Sequence, residues 1–246
     1  MHAEDEEWFR NWFDSPYYHL LYKHRDEEEA RYFLDHLLNY LQLPETAELL
    51  DIPCGSGRHS AYLAGKGFQV TGMDLSPSNI RRAESDTQYP VRYCVHDMRQ
   101  HLGSNLYDAI FNLFTSLGYF KWEHENLLVL KNLAAALKPG GRLVIDFLNP
   151  ALVGRSLCAE NTRQVGEIAF HIQRKLVANR VVKSIRFKDQ NKSYTYEENV
   201  LLIQKKQFES WFEQSNLGVI ACFGSYDLES YDAAHSKRLI FVVQKA

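Results

Sequence analysis

Leu49-Leu50-Asp51-Ile52-Pro53-Cys54-Gly55-Ser56-Gly57-Arg58 joins a short apolar run to a helix-like segment through a turn of small residues. Glycines in such a turn let a ligand approach the backbone closely. The helix that follows begins with backbone N–H groups that have no partner inside the helix. This stretch therefore predicts a strand, a tight turn and a helix arranged around a ligand.

The same alternation continues along the chain. Apolar runs that predict strands lie at 68–73, 91–95, 107–113 and 142–148, and an amphipathic helix is predicted over 125–137. Lys138-Pro139-Gly140-Gly141 is a strong stop signal for that helix. Strands that alternate with helices predict right-handed βαβ units and a parallel sheet.

The pattern changes after Asn149-Pro150. Three strand-like runs, at 168–177, 181–187 and 194–203, follow one another with only short turns between them. Adjacent strands without intervening helices predict an antiparallel sheet. A helix over 205–215 and strands over 217–224 and 238–244 are predicted to close the chain, and helices are predicted to fill the first 45 residues.

Composition limits the classes of function. The chain has 246 residues, a formal charge of −3 and 45% hydrophobic residues, as expected for a globular α/β protein. The mildly acidic balance argues against a nucleic-acid partner. The acidic start of the chain and the lack of a long apolar run predict a cytoplasmic protein without a membrane partner. Four dispersed cysteines and dispersed histidines indicate neither a disulfide framework nor a metal site.

Two cofactor classes suit a glycine turn with acidic residues at strand ends. Asp74 ends the strand that follows Asp51, and a carboxylate there suits a ribose diol. A dinucleotide fold would need a third glycine at position 60, where the chain has Ser60. Asp51 would face a phosphate poorly, whereas S-adenosylmethionine has no phosphate and carries an ammonium group. The residues favour S-adenosylmethionine, with an NAD-dependent oxidoreductase as the alternative.

Three segments resemble class I S-adenosylmethionine-dependent methyltransferases. Residues 50–59 are similar to the first motif of that family, residues 70–76 to the second, and residues 137–141 to the usual lead into the fifth strand. Pro53 departs from the family, which commonly has glycine there. The resemblance implies an α/β fold with a Rossmann-like, seven-stranded, mostly parallel sheet and an antiparallel β insert between strands five and six. It divides the chain into a helical cover (1–45), a cofactor-binding core (46–150), the insert (151–203) and a closing unit (204–246).

The resemblance also implies a set of cofactor contacts. The methionine part would lie against the glycines, with Asp51 at its amino end, and Asp74 would bind the ribose hydroxyls. Leu75 would contact the adenine, and Asp97 would accept its amino group beside the Met98 backbone. The expected cofactor-binding residues are Tyr18, Tyr22, Arg25, Asp51, Pro53, Gly55, Gly57, Asp74, Leu75, Asp97, Met98 and Phe114.

The remaining expectations concern the cover and the acceptor. Tyr18, Tyr22 and Arg25 would share one helix face, where the rings would stabilise the sulfonium and Arg25 would pair with the cofactor carboxylate. Tyr119 and Asp146 are the catalytic candidates, as groups that orient or deprotonate the acceptor. Phe147 and Asn149 would line the acceptor pocket.

The function that follows is in-line methyl transfer to a small-molecule amine or hydroxyl. The loop after the fourth strand lacks the proline-containing tetrad of many nucleobase and amide methyltransferases, which weakens those substrates. The insert would either arch over the acceptor or mediate a homodimer. The rival hypotheses are a non-catalytic S-adenosylmethionine-binding protein and a protein or RNA methyltransferase, which would need an open, charged groove.

Overall fold

A seven-stranded sheet forms the centre of the molecule, which a computed structural model describes over residues 7–22 and 27–246. The strands are β1 (Glu48–Asp51), β2 (Gln69–Asp74), β3 (Val91–Val95), β4 (Tyr107–Asn112), β5 (Leu137–Leu148), β10 (Leu217–Phe223) and β11 (Arg238–Lys245). The strand order is β10-β11-β5-β4-β1-β2-β3, with β1 to β5 parallel and β11 antiparallel to both neighbours. The predicted Rossmann-like class is confirmed.

Helices cover both faces of this sheet. The helices are α1 (Trp8–Phe13), α2 (Pro16–Tyr22), α3 (Glu27–Leu41), α4 (Arg58–Gly65), α5 (Pro77–Asp86), α6 (Glu123–Ala136), α7 (Pro150–Ser156) and α8 (Lys205–Glu213). One buried apolar cluster contains residues of α6 and α8 on one face, and a second contains residues of α3 and α4 on the other. None of them, within the described residues, is long and apolar enough to cross a membrane.

The second sheet has four antiparallel strands in the order β6-β7-β8-β9, one more than the sequence predicted. They are β6 (Glu160–Val165), β7 (Ile168–Val177), β8 (Arg180–Asp189) and β9 (Lys192–Leu201). The missed strand β6 lies at the sheet edge and is polar along almost its whole length, so it carries no apolar alternation. Helix α7 was missed as well.

The start of β5 also differs from the prediction. The Lys138-Pro139-Gly140-Gly141 segment, predicted as a helix stop before a strand at 142, already belongs to β5. Leu137 pairs with Tyr107, and the register then shifts before Ala109 pairs with Arg142. Gly140 has a φ of +74°, so the segment still contains a glycine-dependent bend, but it lies inside an irregular strand.

Helices α1 and α2 connect the two sheets. Trp12 and Leu21 are buried with Phe170 and Ile185 of the antiparallel sheet in a third apolar cluster. At the junction of the two helices, the Asp14 side chain accepts the Ser76 hydroxyl and the Ser78 N–H next to the end of β2. The two helices therefore form a cover that touches the antiparallel sheet on one side and the carboxyl edge of the parallel sheet on the other.

Candidate functional site

A cavity of about 1670 Å³ lies between this cover and the carboxyl ends of β1, β2 and β4. Sites for one small-molecule ligand usually measure about 300–1,000 Å³. The cavity is therefore large enough for a cofactor together with a second small molecule. It lies at the sheet edge where Asp51 and Asp74 end neighbouring parallel strands, as the sequence predicted.

The glycine turn, residues 53–57, forms one wall of the cavity. Gly55 and Gly57 have φ values of +55° and +82°, which side-chain-bearing residues rarely adopt. A Cβ on Gly57 would also lie 2.8 Å from the Ala83 Cβ and would collide with the Tyr93 hydroxyl. Glycine at 57 is thus required by both conformation and space.

Asp74 lines the cavity and fixes this turn. Its carboxylate accepts the Gly55 N–H at 2.9 Å, the Ser76 N–H at 2.9 Å and the Asn79 amide at 3.1 Å. Burial raises the pKa of Asp74, and these donors oppose that shift. Since an ionised carboxylate offers about four lone-pair sites, one remains for a ligand hydroxyl.

Asp51 provides a buried acceptor that the protein does not satisfy. Its Oδ2 accepts the Ser60 hydroxyl at 2.6 Å, whereas its Oδ1 has no hydrogen-bond partner among the described residues. Burial raises its pKa to about 7. Ser60, which breaks the dinucleotide pattern, therefore holds the motif carboxylate in place. Asp51 is fully buried and is not part of the cavity wall, so its predicted contact with the amino end of a cofactor stays a prediction. A buried carboxylate oxygen without a donor would attract an ammonium group and repel a diphosphate.

The predicted adenine contacts all line the cavity, but one of them is already engaged. Leu75, Asp97 and Met98 form part of the wall. The Asp97 carboxylate pairs with Arg99 at 2.7 Å and with Arg10 at 3.3 Å. Burial tends to raise the pKa of Asp97, yet the Arg99 guanidinium holds it below its usual value. Its role as acceptor for an adenine amino group stays a prediction.

The cover and the loop after β4 together form an aromatic wall, made of the rings of Phe9, Phe13, Tyr18, Tyr22 and Tyr119. Neighbouring rings of this wall lie 4.9–6.4 Å apart, centroid to centroid. Tyr18 and Tyr22 are on one face of α2, as predicted, with ring centroids 4.9 Å apart. Arg25, the third member of the predicted face, lies outside the described residues.

A partly buried carboxylate in the antiparallel sheet holds the cover. Glu198 accepts the Trp12 indole N–H at 2.8 Å and the Tyr22 hydroxyl at 2.6 Å. Burial would raise the pKa of Glu198, but the nearby Lys183 ammonium and these donors keep it lowered. The antiparallel sheet thus positions Tyr22 of the aromatic wall.

The loop after β4 supplies two predicted residues to the cavity. Phe114 lines it, with its ring 5.2 Å from His59 and 4.5 Å from the Arg58 guanidinium carbon. Tyr119 lines it as well, and its hydroxyl donates to the Thr115 carbonyl. The position of Tyr119 is compatible with acceptor binding, while its catalytic role stays a prediction.

Three predicted acceptor residues do not line the cavity. Asp146 is fully buried and ion-paired with Arg238 at 2.7 Å. Phe147 is also fully buried and packs on Phe208, and Asn149 caps α7 by accepting the Ala151 N–H. The prediction relied on their place at the end of β5. That end is covered on both faces, so these side chains face packed protein.

Sequence reasoning did not assign His59 or the rings of α1 to the site. His59 is buried in the cavity wall, and its Nε2 has no partner among the described residues. Burial lowers its pKa well below the ordinary value, so the imidazole is neutral. Phe9 and Phe13 lie in the first 45 residues, which were predicted as helical, and only the tertiary structure shows that their rings border a cavity.

The sequence comparisons agree with this geometry. Residues 49–141 match a family model described as a methyltransferase domain. YqeM of Bacillus subtilis (strain 168) is 36% identical over 107 residues, 42% of this chain and 43% of that protein. A dTDP-3-amino-3,6-dideoxy-alpha-D-glucopyranose N,N-dimethyltransferase of Streptomyces fradiae is 25% identical over 186 residues, 72% of each chain. The chain thus spans less than half of YqeM.

Solved structures share the whole fold at low sequence identity. An S-adenosylmethionine-dependent methyltransferase from Clostridium acetobutylicum has a TM-score of 0.81 at 18% identity, over 96% of this chain and 98% of that one. An amino pentose methyltransferase from Micromonospora echinaspora, solved with its cofactor bound, has a TM-score of 0.73 at 19% identity, over 94% and 98%. These likenesses extend the shared fold beyond residues 49–141 to the cover and the antiparallel sheet.

Proposed function

We propose that this chain methylates an amine of a small molecule, because residues 49–141 match a methyltransferase-domain model and the fold is shared with a solved S-adenosylmethionine-dependent methyltransferase. The observation that carries the proposal is the single cavity bounded by the Asp74 carboxylate on one side and by the aromatic wall on the other. S-adenosylmethionine, when bound, supplies a methyl group on a positively charged sulfur.

The two-sided lining of the cavity supports a small acceptor. The cover and the parallel-sheet edge both line the cavity, so its residues come from two sides of the space. A protein or RNA acceptor would need an open groove with an excess of one charge. Among the described residues, four of the five Lys and Arg side chains of the wall are instead paired with a carboxylate: Arg10, Arg31, Lys66 and Arg82, at 2.7, 2.6, 2.9 and 3.6 Å respectively. The fifth, Arg58, lies over the Phe114 ring at 4.5 Å.

The aromatic wall supports an amine rather than a hydroxyl. Faces of aromatic rings attract cations by about 0.5–2 kcal/mol each, and an amine becomes a cation as it accepts a methyl group. A neutral amine needs no base before attack, because its lone pair forms the new N–C bond while the S–CH₃ bond breaks. The ammonium product then loses its proton to water. The Streptomyces fradiae relative, named as an amino-sugar N,N-dimethyltransferase, is in line with this class.

An O-methyltransferase is the second candidate, because His59 provides a neutral imidazole in the cavity wall. A hydroxyl acceptor would have to give up a proton to such a base. The 27-O-demethylrifamycin SV methyltransferase of Amycolatopsis mediterranei, 31% identical over 147 residues, keeps this candidate relevant.

Two measurements test the proposal. Calorimetry of the purified chain should detect binding of S-adenosylmethionine and not of NAD. Incubation with methyl-labelled S-adenosylmethionine and a panel of small amines and matched alcohols should then label amines. Binding of NAD with equal affinity would contradict the cofactor assignment, and label on alcohols alone would replace the amine by the hydroxyl acceptor.

A further inference from the structure

The loop that carries Phe114 and Tyr119 has an unusual backbone. Phe114 and Thr115 are consecutive residues with φ values of +63° and +62°. Neither is glycine, and Thr115 is β-branched, so this conformation is strained at both residues. Such a conformation persists when surrounding contacts fix it.

Those contacts come from a buried polar cluster behind the loop. The Asp146 carboxylate accepts the Phe114 N–H at 3.0 Å, and the Asp146 backbone carbonyl accepts the Thr115 N–H at 2.8 Å. The Arg238 Nε donates to Asp146 at 2.7 Å, and its Nη2 donates to the Thr115 hydroxyl oxygen at 3.1 Å. The same hydroxyl oxygen accepts the Leu148 N–H at 3.0 Å.

The cluster touches the loop on one side, and the loop touches the cavity on the other. Asp146, Thr115 and Arg238 are absent from the cavity wall, whereas Phe114 and Tyr119 are part of it. The Tyr119 hydroxyl donates to the carbonyl of Thr115, which links the second aromatic residue to the same strained peptide. Tyr226 adds a hydroxyl donor to Asp146 at 3.2 Å.

We propose that Asp146, Arg238 and Thr115 act together as positioning residues that hold Phe114 and Tyr119 against the reacting methyl group. This inference rests on the proposed function, because it assigns the methyl-transfer end of the cavity to this loop. It gives the buried Asp146 carboxylate a role that requires no contact with the acceptor. It also brings Arg238, from the closing strand β11, into the site.

A pair of substitutions at Thr115 tests this role without a known acceptor. Thr115→Val keeps the shape and removes the hydroxyl, whereas Thr115→Ser keeps the hydroxyl. Two probes are compared by calorimetry: S-adenosylhomocysteine, which has no group at the methyl position, and sinefungin, which carries an amine there. Thr115→Val should weaken sinefungin binding about fivefold to tenfold and leave S-adenosylhomocysteine binding within twofold, and Thr115→Ser should change neither by more than twofold.

Arg238→Lys provides an independent variant, because lysine keeps the charge but cannot bridge Asp146 and Thr115 in the same way. If Thr115→Val does not fold, the same split between the two probes is expected for Arg238→Lys. Equal weakening of both probes, or no change in either, would overturn the positioning role. A wild-type chain that binds neither probe would instead contradict the proposed function, so the two failures are distinguishable.

Discussion

The two sides of the cavity are built by different means. On the sheet side, backbone conformation dominates: the glycine turn has positive φ values, and Asp74 accepts two backbone N–H groups around it. On the cover side, side chains dominate: the aromatic wall combines rings from α1, from α2 and from the loop after β4. The sheet side is thus formed by the glycine turn and the end of the neighbouring strand β2. The aromatic wall, in contrast, combines segments that are more than 90 residues apart in the chain.

This contrast predicts that the sheet side contributes most of the affinity for the cofactor. Asp74→Ala should weaken S-adenosylmethionine binding on the order of 100-fold, because hydrogen bonds to a charged group contribute about 1.5–3 kcal/mol each. Calorimetry measures the change, and thermal unfolding checks that the variant folds. Glu84→Ala, at an exposed carboxylate on α5 that does not line the cavity, is the matched control and should bind as the wild type does. Unchanged affinity of Asp74→Ala would show that the sheet side does not hold the cofactor.

The cover side should have a smaller and charge-dependent effect. Tyr18→Leu should weaken binding of S-adenosylmethionine about threefold to thirtyfold, which corresponds to the loss of about 0.5–2 kcal/mol of cation–π attraction. Binding of S-adenosylhomocysteine, which lacks the positive sulfur, should change less. Tyr40→Leu, at an exposed tyrosine of α3, is the control. If both ligands weakened equally, Tyr18 would act by packing, and the aromatic wall would not recognise charge.

The same contrast explains how far the sequence could be interpreted. The places of Gly55, Gly57 and Asp74 in the cavity wall were predictable because a strand, a turn and a helix fix the positions of adjacent residues within one unit. The aromatic wall was only partly predictable: the pairing of Tyr18 with Tyr22 follows from helical spacing. The contact between Phe13 and Tyr119, at 5.3 Å, depends on how the cover packs on the loop.

Asp146 and Phe147 show the limit of inference from strand ends. Both lie at the carboxyl end of β5, just as residues that reach the cavity lie at the carboxyl ends of β1 and β2. The difference is that the segment before β11 covers the end of β5, where the Tyr226 hydroxyl donates to Asp146 and the Tyr231 hydroxyl donates to Asn149. Nothing in the local sequence of β5 reports this neighbour. Polar strand β6 was missed for a related reason, since its place is set by pairing with β7.

Asp51 gives the smallest expected effect and tests the ammonium end of the sheet side. Burial raises its pKa to about 7, so between about pH 4 and 7 the free folded protein keeps a proton that the unfolded chain has lost. The bound proton favours the folded state, and this contribution to the free energy of unfolding is therefore lost as the pH rises through that window. An ammonium group near the unsatisfied Oδ1 favours the ionised form and lowers the pKa.

Binding of S-adenosylmethionine should consequently release close to one proton at pH 6, where the amino group of the free cofactor is already charged. Calorimetry in buffers of different ionisation enthalpy measures this number. Asp51→Asn removes the titrating group and should abolish this release, while Glu84→Ala, at an exposed carboxylate outside the cavity wall, should preserve it. Equal proton release by the wild type and Asp51→Asn at pH 6 would mean that the ammonium group does not approach Asp51, and that the sheet side binds the cofactor through the ribose alone.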